Sequence, residues 1–391
     1  MGSSSAESNT YAKLGASSSK AGVHQAIDAK EHSFFASVVE DVSGDKNYYS
    51  LLHADGAGTK VIVAYLAFKE TGDPSWFRGI AQDSLVMNLD DIACVNAFES
   101  LVLSNTIGRN RSLIPDEVIA ELIKGYQECA TTLVEHGVNI NLCGGETADL
   151  GDLVRTIVID STLFARVKKS EAISTDAIQS GDVIIGLSST GQASYEEKEN
   201  SGLGSNGYTL ARHALIASKY AEKYPEIVDP SLSAKEIYQG KLDLLDPLPN
   251  LSLNLAEALL SPTRSYAPII RETTLKLGNQ VHGIIHCTGG GLSKNLRFGK
   301  NKCYIKDNLF TTPPIFELIQ KSMNVPWKEM YTVFNMGHRI EIILPENSAQ
   351  TVIDIAKSFG VDAQKVGYVE DSDGANEVMI QSEYGEFAYR L

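Results

Sequence analysis

The sequence predicts an α/β chain of the α+β type, organised as two domains. Three observations carry this. Apolar runs rich in β-branched residues alternate with helix-like stretches. Strings that couple glycine to a carboxylate stand where several of those runs stop. A polar stretch, Lys168-Lys169-Ser170 followed by EAISTDAIQSGD, separates two such series. The length of 391 residues, with 43% hydrophobic and 21% charged, suits two to three domains at about 150 residues each.

Taken in order, residues 1 to about 10 are small and polar and are expected to form a mobile arm. The N-terminal domain is placed at 11–170. Within it YSLLHADG, from Tyr48, reads as a strand that breaks into a turn at Asp55-Gly56-Ala57-Gly58 before a helix, VIVAYLAFKE. A second helix is expected over Ser75–Asn96. A third opens at Pro115 and stops at Gly137, as helix termini prefer. Strands are expected at 101–105 and 156–167. The C-terminal domain, 171–391, adds strands at 183–189, 282–287 and 339–345. It also has a helix over 209–223 whose Leu210, Ala214, Ala217 and Ala221 share one face. SYEEKENSG, at 194–202, reads as a solvated insertion.

Composition excludes some functions. Thirty-four Lys+Arg against 49 Asp+Glu leave a formal charge of -15, which repels a phosphate backbone and argues against nucleic acid as a partner. No apolar run approaches the roughly 18 residues of a membrane span, and the start has no signal-peptide pattern, so a cytoplasmic location is expected. Cys94, Cys129, Cys143, Cys287 and Cys303 are scattered without a C-x-x-C pair, which speaks against a disulfide framework and a structural zinc site.

Five strings are chemically suggestive. Asp55-Gly56-Ala57-Gly58-Thr59-Lys60 offers backbone N–H groups and a lysine to a phosphate, and a carboxylate to a divalent cation, although an ordinary capped turn gives the same letters. It is not a Walker A loop. On the helix around 75–96, Asp83 and Asp90 fall within about 20° of one another, with Asp91 about 80° from Asp83, so one face presents two carboxylates. Gly144-Gly145-Glu146 follows the apolar run INLC and again puts a carboxylate at a strand's end. Gly202-Leu203-Gly204-Ser205-Asn206-Gly207 matches G-x-G-x-x-G but lies too far from a strand for a dinucleotide turn, which leaves an anion-binding helix start. His286-Cys287-Thr288-Gly289-Gly290-Gly291 places a histidine beside a loop that a ligand can approach closely.

In this order HADGAGTK, the Asp-Asp helix, CGGETADLGD, GSNGYTLARH, LLSPTRSY, HCTGGG and EMYTVFNMGHRIEI resemble the aminoimidazole ribonucleotide synthetases, or phosphoribosylformylglycinamidine cyclo-ligases, of purine biosynthesis, over about 48–345. The same ATP-binding superfamily includes formylglycinamidine ribonucleotide synthetase, selenophosphate synthetase, thiamine-monophosphate kinase and a hydrogenase maturation protein. The resemblance implies a two-domain ATP-binding synthetase fold whose N-terminal sheet forms a homodimer interface. It implies ATP and Mg2+ as cofactors and formylglycinamidine ribonucleotide as substrate. Carried over by position, Asp55, Asp83, Asp91 and Glu146 hold metal, with Gly56, Gly58, Thr59, Gly144 and Gly145 completing the nucleotide site. Lys60 and His286 are catalytic, and Ser205, Asn206, Gly207, Thr263, Arg264, Gly289 and Gly290 bind substrate.

Three departures mark a divergent subgroup. EDVSGDKNYY stands where a glycine string is usual, Gly204 replaces a common histidine, and 192–204 is longer than usual. Two other classes stay open: a superfamily enzyme that phosphorylates another acceptor, and a non-catalytic ATP-binding paralogue.

Overall fold

A computed structural model describes residues 10–16 and 33–390. Most of the arm expected at 1–10 lies outside the described residues. Thr10 already belongs to a short helix, Thr10–Lys13, whose first amides donate to the Glu329 carboxylate, Tyr11 at 2.8 Å.

Two sheets organise the chain. The first has the order β1-β2-β5-β3-β4, built from Val39–Glu40, Tyr48–Gly56, Ile157–Lys168, Glu99–Arg109 and Ile140–Asp149. Its pairs are antiparallel except β3 with β4, and that parallel pair is bridged by the helix Asp116–Glu135, the long crossover such a pair needs. The second sheet has the order β12-β11-β8-β10-β6-β9-β7. It uses Asp182–Ser188 (β6), Gly283–His286 (β7), Lys302–Lys306 (β8), His338–Pro345 (β9), Ala363–Asp371 (β10), Glu377–Ser382 (β11) and Gly385–Arg390 (β12). Every residue of β6 is buried, as its run of apolar and small residues requires.

The helix Arg78–Ala93 decides where the site falls. It is buried on nearly all sides, with Leu85, Val86, Leu89 and Ile92 fully covered; burying each such side chain is worth about 1.5–3 kcal/mol. Its aspartates therefore need partners in the interior, and residues 263–286 supply them.

Four expectations change. The helix expected from Ser75 begins as a 3-10 turn, Pro74–Phe77, capped by Asp73, and ends at Ala93. The helix expected over 209–223 breaks into Tyr208–Leu215 and Lys219–Lys223. Ile216 and Ala217 extend and bridge to Leu242 and Gly240, which removes Ala217 from the shared face. The run INLC does not stop at Gly-Gly. β4 continues to Asp149, with Gly144 at φ 99 beside a register shift opposite Leu103 and Asn105, a conformation only glycine takes cheaply. The segment 194–202 is solvated at its charged middle, Glu197, Lys198 and Glu199, and is packed on either side: Tyr195 donates to Ser265 O at 2.6 Å and Asn200 to Pro262 O at 2.8 Å. The glycine string missing ahead of β2 is replaced by a turn around buried Asp41. Its carboxylate accepts from Arg166 at 2.7 and 3.1 Å and from Ser50 at 2.8 Å, and these hydrogen bonds hold it well below the usual carboxylate range.

Candidate active site

Distant parts of the sequence meet along one side of the helix Arg78–Ala93, and three of its aspartates each organise a cluster. Asp83, completely buried, accepts at Oδ1 from Lys60 Nζ at 2.8 Å, Thr263 N at 2.8 Å and Thr263 Oγ1 at 2.6 Å. Lys60 also donates to Ser261 O at 2.7 Å and Gly204 O at 3.2 Å, so its three N–H groups are spent. Burial lowers the Lys60 pKa against the opposing charge of Asp83. The lysine read from the sequence as a mobile cation is thus an internal strut, because its side chain points inward from the first turn of the helix Lys60–Thr71. Oδ2 of Asp83 is buried without a partner among the described residues.

Asp90 accepts from Ser265 Oγ at 2.7 Å and Tyr266 N at 2.9 Å, and burial pushes its carboxyl up to about 7. Asp91 accepts from His286 Nδ1 at 2.7 Å and lies 3.3 Å from His53 Nε2. Burial opposes the Asp91 charge, but the two imidazoles overcome it and hold the carboxyl far below its usual range. The helical angle that favoured Asp90 as Asp83's companion is overridden by these partners, which assign Asp90 to an anchoring role.

His286 Nε2 accepts from Arg339 Nε at 3.0 Å. Complete burial, with Arg339 beside it, pushes the imidazole down to about 4 despite Asp91. His53 behaves oppositely. Burial disfavours its charge, but Asp91, Asn88 and Asp55 bring it up to about 9. Its Nδ1 meets Asn88 Oδ1 at 3.0 Å, and Asn88 Nδ2 donates to Asp55 O at 3.0 Å. His53, Asn88 and Arg339 were missed in the sequence. The signal was available for two of them: His53 stands two residues before Asp55, and Arg339 sits in the NMGHR string.

Two turns close over this interior. Ser205 Oγ donates to Ala57 O at 3.2 Å and Thr59 Oγ1 lies 3.3 Å from Thr209 Oγ1, so the Asp55–Thr59 turn abuts the start of the helix Tyr208–Leu215. Gly56 passes so close to Asp160 that a Cβ would fall 1.9 Å from its Oδ1, and Gly207, preceding the helix, lies against the Phe334 ring. Gly58 and Thr59 complete the turn, with Asp55 Oδ1 accepting from Gly56 N at 2.7 Å. Gly289 and Gly290 follow β7 on the loop after His286, with open space over Gly289.

Other expected residues stand apart. In the strand register Gly56 faces Asp160, Asp160 faces Thr106, and Thr106 faces Glu146. Glu146 is therefore three strand spacings, about 14 Å, from Gly56, together with Gly144 and Gly145 on an exposed edge strand. No three of Asp55, Asp83, Asp91 and Glu146 bring ligand atoms within 4.8 Å of one another. Arg264 spends its guanidinium on Glu196, at 2.5 Å, and on the carbonyls of Ser188, Thr190 and Gly191. This arginine fixes the 190–196 loop instead of facing a phosphate. The one group of three metal-type ligands among the described residues is Cys287, His338 and Glu341, and there the ammonium of Lys306, 2.5 Å from Glu341, takes a cation's place.

Residues 36–167 match the family described as AIR synthase related protein, N-terminal domain, and residues 179–379 its C-terminal domain. The phosphoribosylformylglycinamidine cyclo-ligase of Methanocaldococcus jannaschii is 35% identical over 326 residues, 83% of this chain and 79% of the relative. That of Pyrococcus furiosus is 32% identical over 341 residues, 87% and 83% of the two chains. Among solved structures, a chain of the HypE–HypF complex superposes with a TM-score of 0.56 at 13% identity, covering 95% of this chain and 98% of the other. The phosphoribosylformylglycinamidine synthase II of Thermotoga maritima gives 0.50 at 13%, covering 92% and 45%.

Proposed function

The chain belongs to the AIR synthase related protein family, and from that premise we propose that it is an ATP-dependent cyclo-ligase converting formylglycinamidine ribonucleotide to aminoimidazole ribonucleotide with release of ADP and phosphate. The observation that carries the reading is the convergence of six separate strings on one network. Lys60, Asp83 and Thr263 form one knot, and Asp91, His286, Arg339 and Asn206 form a continuous chain of hydrogen bonds beside it.

The chemical difficulty is that a formamide oxygen is a poor leaving group, and ATP supplies the phosphoryl group that makes it a good one before the neighbouring amidine nitrogen closes the ring. The protein's task is alignment, charge neutralisation and exclusion of water. The abutting turns at Asp55–Thr59 and Ser205–Gly207 offer backbone N–H groups and a helix start to phosphate oxygens. Lys60 acts through structure, holding Gly204 and Ser261 against Asp83 so that both turns keep their places. His286, neutral at pH 7 with its Nδ1 proton engaged by Asp91, has a fixed ring and positions the reacting groups beside the open loop at Gly289 and Gly290.

Magnesium fits the donor set in part. Asp55 and the unpartnered Oδ2 of Asp83 are hard oxygens, and a magnesium ion bound with a nucleotide needs only one or two carboxylates because phosphates and waters complete it. Asp91 has both oxygens committed to histidines, and Glu146 would reach such a site only across a protomer interface.

A homodimer through the first sheet is part of this proposal. On the face turned away from its helices that sheet exposes Leu52 (72%) and Val158 (40%), and the edge of β4 is unpaired among the described residues. No helix among the described residues is long and apolar enough to cross a membrane, and a cytoplasmic site of action accords with a nucleotide-dependent reaction.

The test is formation of the product amine, detected by diazo coupling, with and without ATP and magnesium. ATP-dependent colour supports the reading. Its absence while the protein still binds ATP moves the chain to another acceptor or to a non-catalytic role.

A further inference from the structure

Arg339 is 1% exposed, and among the described residues no carboxylate lies within ion-pair distance of it. Nε donates to His286 Nε2 at 3.0 Å. Nη2 reaches Asn206 Oδ1 at 3.1 Å and Met87 Sδ at 3.0 Å, and Nη1 has no partner among the described residues. A guanidinium is permanently charged, and burying one without an anion is costly unless an anion arrives.

One neighbour in particular packs against Nη1. Gly204, at φ 75, passes so close that a Cβ would lie 1.8 Å from Nη1. Any side chain at this position would displace the guanidinium. Lys60 fixes Gly204 through its carbonyl, so the buried strut also holds the backbone that packs against Nη1. Ser205 and Asn206, next in sequence, are half-exposed and lead to the start of the helix Tyr208–Leu215, whose first N–H groups favour negative charge. Nη1, packed against Gly204, thus lies one residue removed from half-exposed surface.

The same arginine dictates the state of His286. Nε–H is a donor and can only donate, so Nε2 of His286 is the bare nitrogen and the proton sits on Nδ1, facing Asp91 at 2.7 Å.

We propose that Arg339 presents Nη1 to an anionic oxygen of the bound substrate, and that through Nε it holds His286 in a single neutral tautomer. The anion chemistry stands on these contacts alone; that the oxygen belongs to the ribonucleotide or the transferring phosphoryl group rests on the cyclo-ligase reading.

Two measurements on the full chain decide the matter. In 15N NMR of the unaltered protein His286 should show one form, with Nε2 unprotonated; a protonated Nε2 would overturn the positioning role. Calorimetric titration with inorganic phosphate should give an affinity about tenfold weaker in Arg339→Met, with Arg339→Lys in between, the size expected for a lost charged hydrogen bond. Gly204→Ala should weaken it likewise, since the new methyl group pushes Nη1 aside while every acceptor of Arg339 remains. Unchanged phosphate affinity in either folded variant removes the anion role. In turnover assays Arg339→Lys should raise KM more than it lowers kcat. Phosphate binding lost in Arg339→Met, by a protein that makes no product, would retire the cyclo-ligase reading and keep this one.

Discussion

Lys60 and Asp83 face each other at 2.8 Å with neither side chain reaching solvent, and this single pair joins residues 60, 83, 204, 261 and 263. Removing one partner leaves the other as an uncompensated buried charge. Lys60→Met should therefore destabilise the fold by about 3–5 kcal/mol, whereas Lys60→Met combined with Asp83→Leu should recover most of the loss. Denaturant titration measures both, and a double variant no better than the single one would show that the pair is not the source of the penalty.

Asp55→Asn should weaken magnesium-dependent ATP binding by about tenfold, since a hard anionic ligand becomes a neutral one without altering the turn's shape. Calorimetry with ATP, with and without magnesium, reads this directly. Equal affinity for both proteins takes Asp55 out of the site.

His286→Ala should lower turnover by about 100-fold while nucleotide affinity changes little, because the imidazole orients reacting groups and touches neither the Asp55 turn nor the start of the helix Tyr208–Leu215. Full turnover in the variant would return His286 to a purely structural role.

Taken by themselves the two histidines on Asp91 favour the folded state most near pH 6.5, while Asp90, raised from 3.8 to about 7, loses its own contribution as pH rises through 7. His53, raised from 6.5 to about 9, contributes fully below pH 6.5 and loses that contribution as pH rises through 9. His286, lowered from 6.5 to about 4, contributes fully above pH 6.5 and loses it as pH falls through 4. Each limb is worth up to about 3 kcal/mol at 1.36 kcal/mol per unit. Thermal melting across pH 4–9 should show His53→Gln flattening the alkaline limb alone; an unchanged profile would separate His53 from Asp91.

Leu52→Glu replaces a 72% exposed leucine on the outer face of the first sheet and should leave the monomer fold intact while dissociating a dimer built there. Sedimentation analysis of both proteins gives the answer, and a variant that remains dimeric places the interface elsewhere.

Much of this architecture can be read from sequence where the pattern is local. The strand Tyr48–Gly56 and the helix Asp116–Glu135 follow from apolar runs and terminal Pro and Gly, and the buried strand Asp182–Ser188 from an unbroken apolar run. What fails is what depends on partners far away in the chain. Asp90 and Asp91 differ by one position, yet residues 53, 265, 266 and 286 decide that the first anchors and the second holds two imidazoles. Arg264 reads as a phosphate ligand until Glu196, from the inserted loop, is seen to occupy it. Glu146 reads as the end of a strand because Gly-Gly ordinarily stops one, whereas here the glycines make a bulge and pairing with β3 resumes.

The hydrogen bond from Tyr11 to Glu329 spans 318 positions of sequence and bears on how the protein is made. On a ribosome adding 5–20 residues each second, the acceptor emerges roughly 15–60 s after its donor. Through that interval the helix Thr10–Lys13 lacks the carboxylate that accepts from its first amides, and four residues are too few to stay helical unaided. The bonds from this helix to Glu329 can thus close only after the whole first sheet has been made.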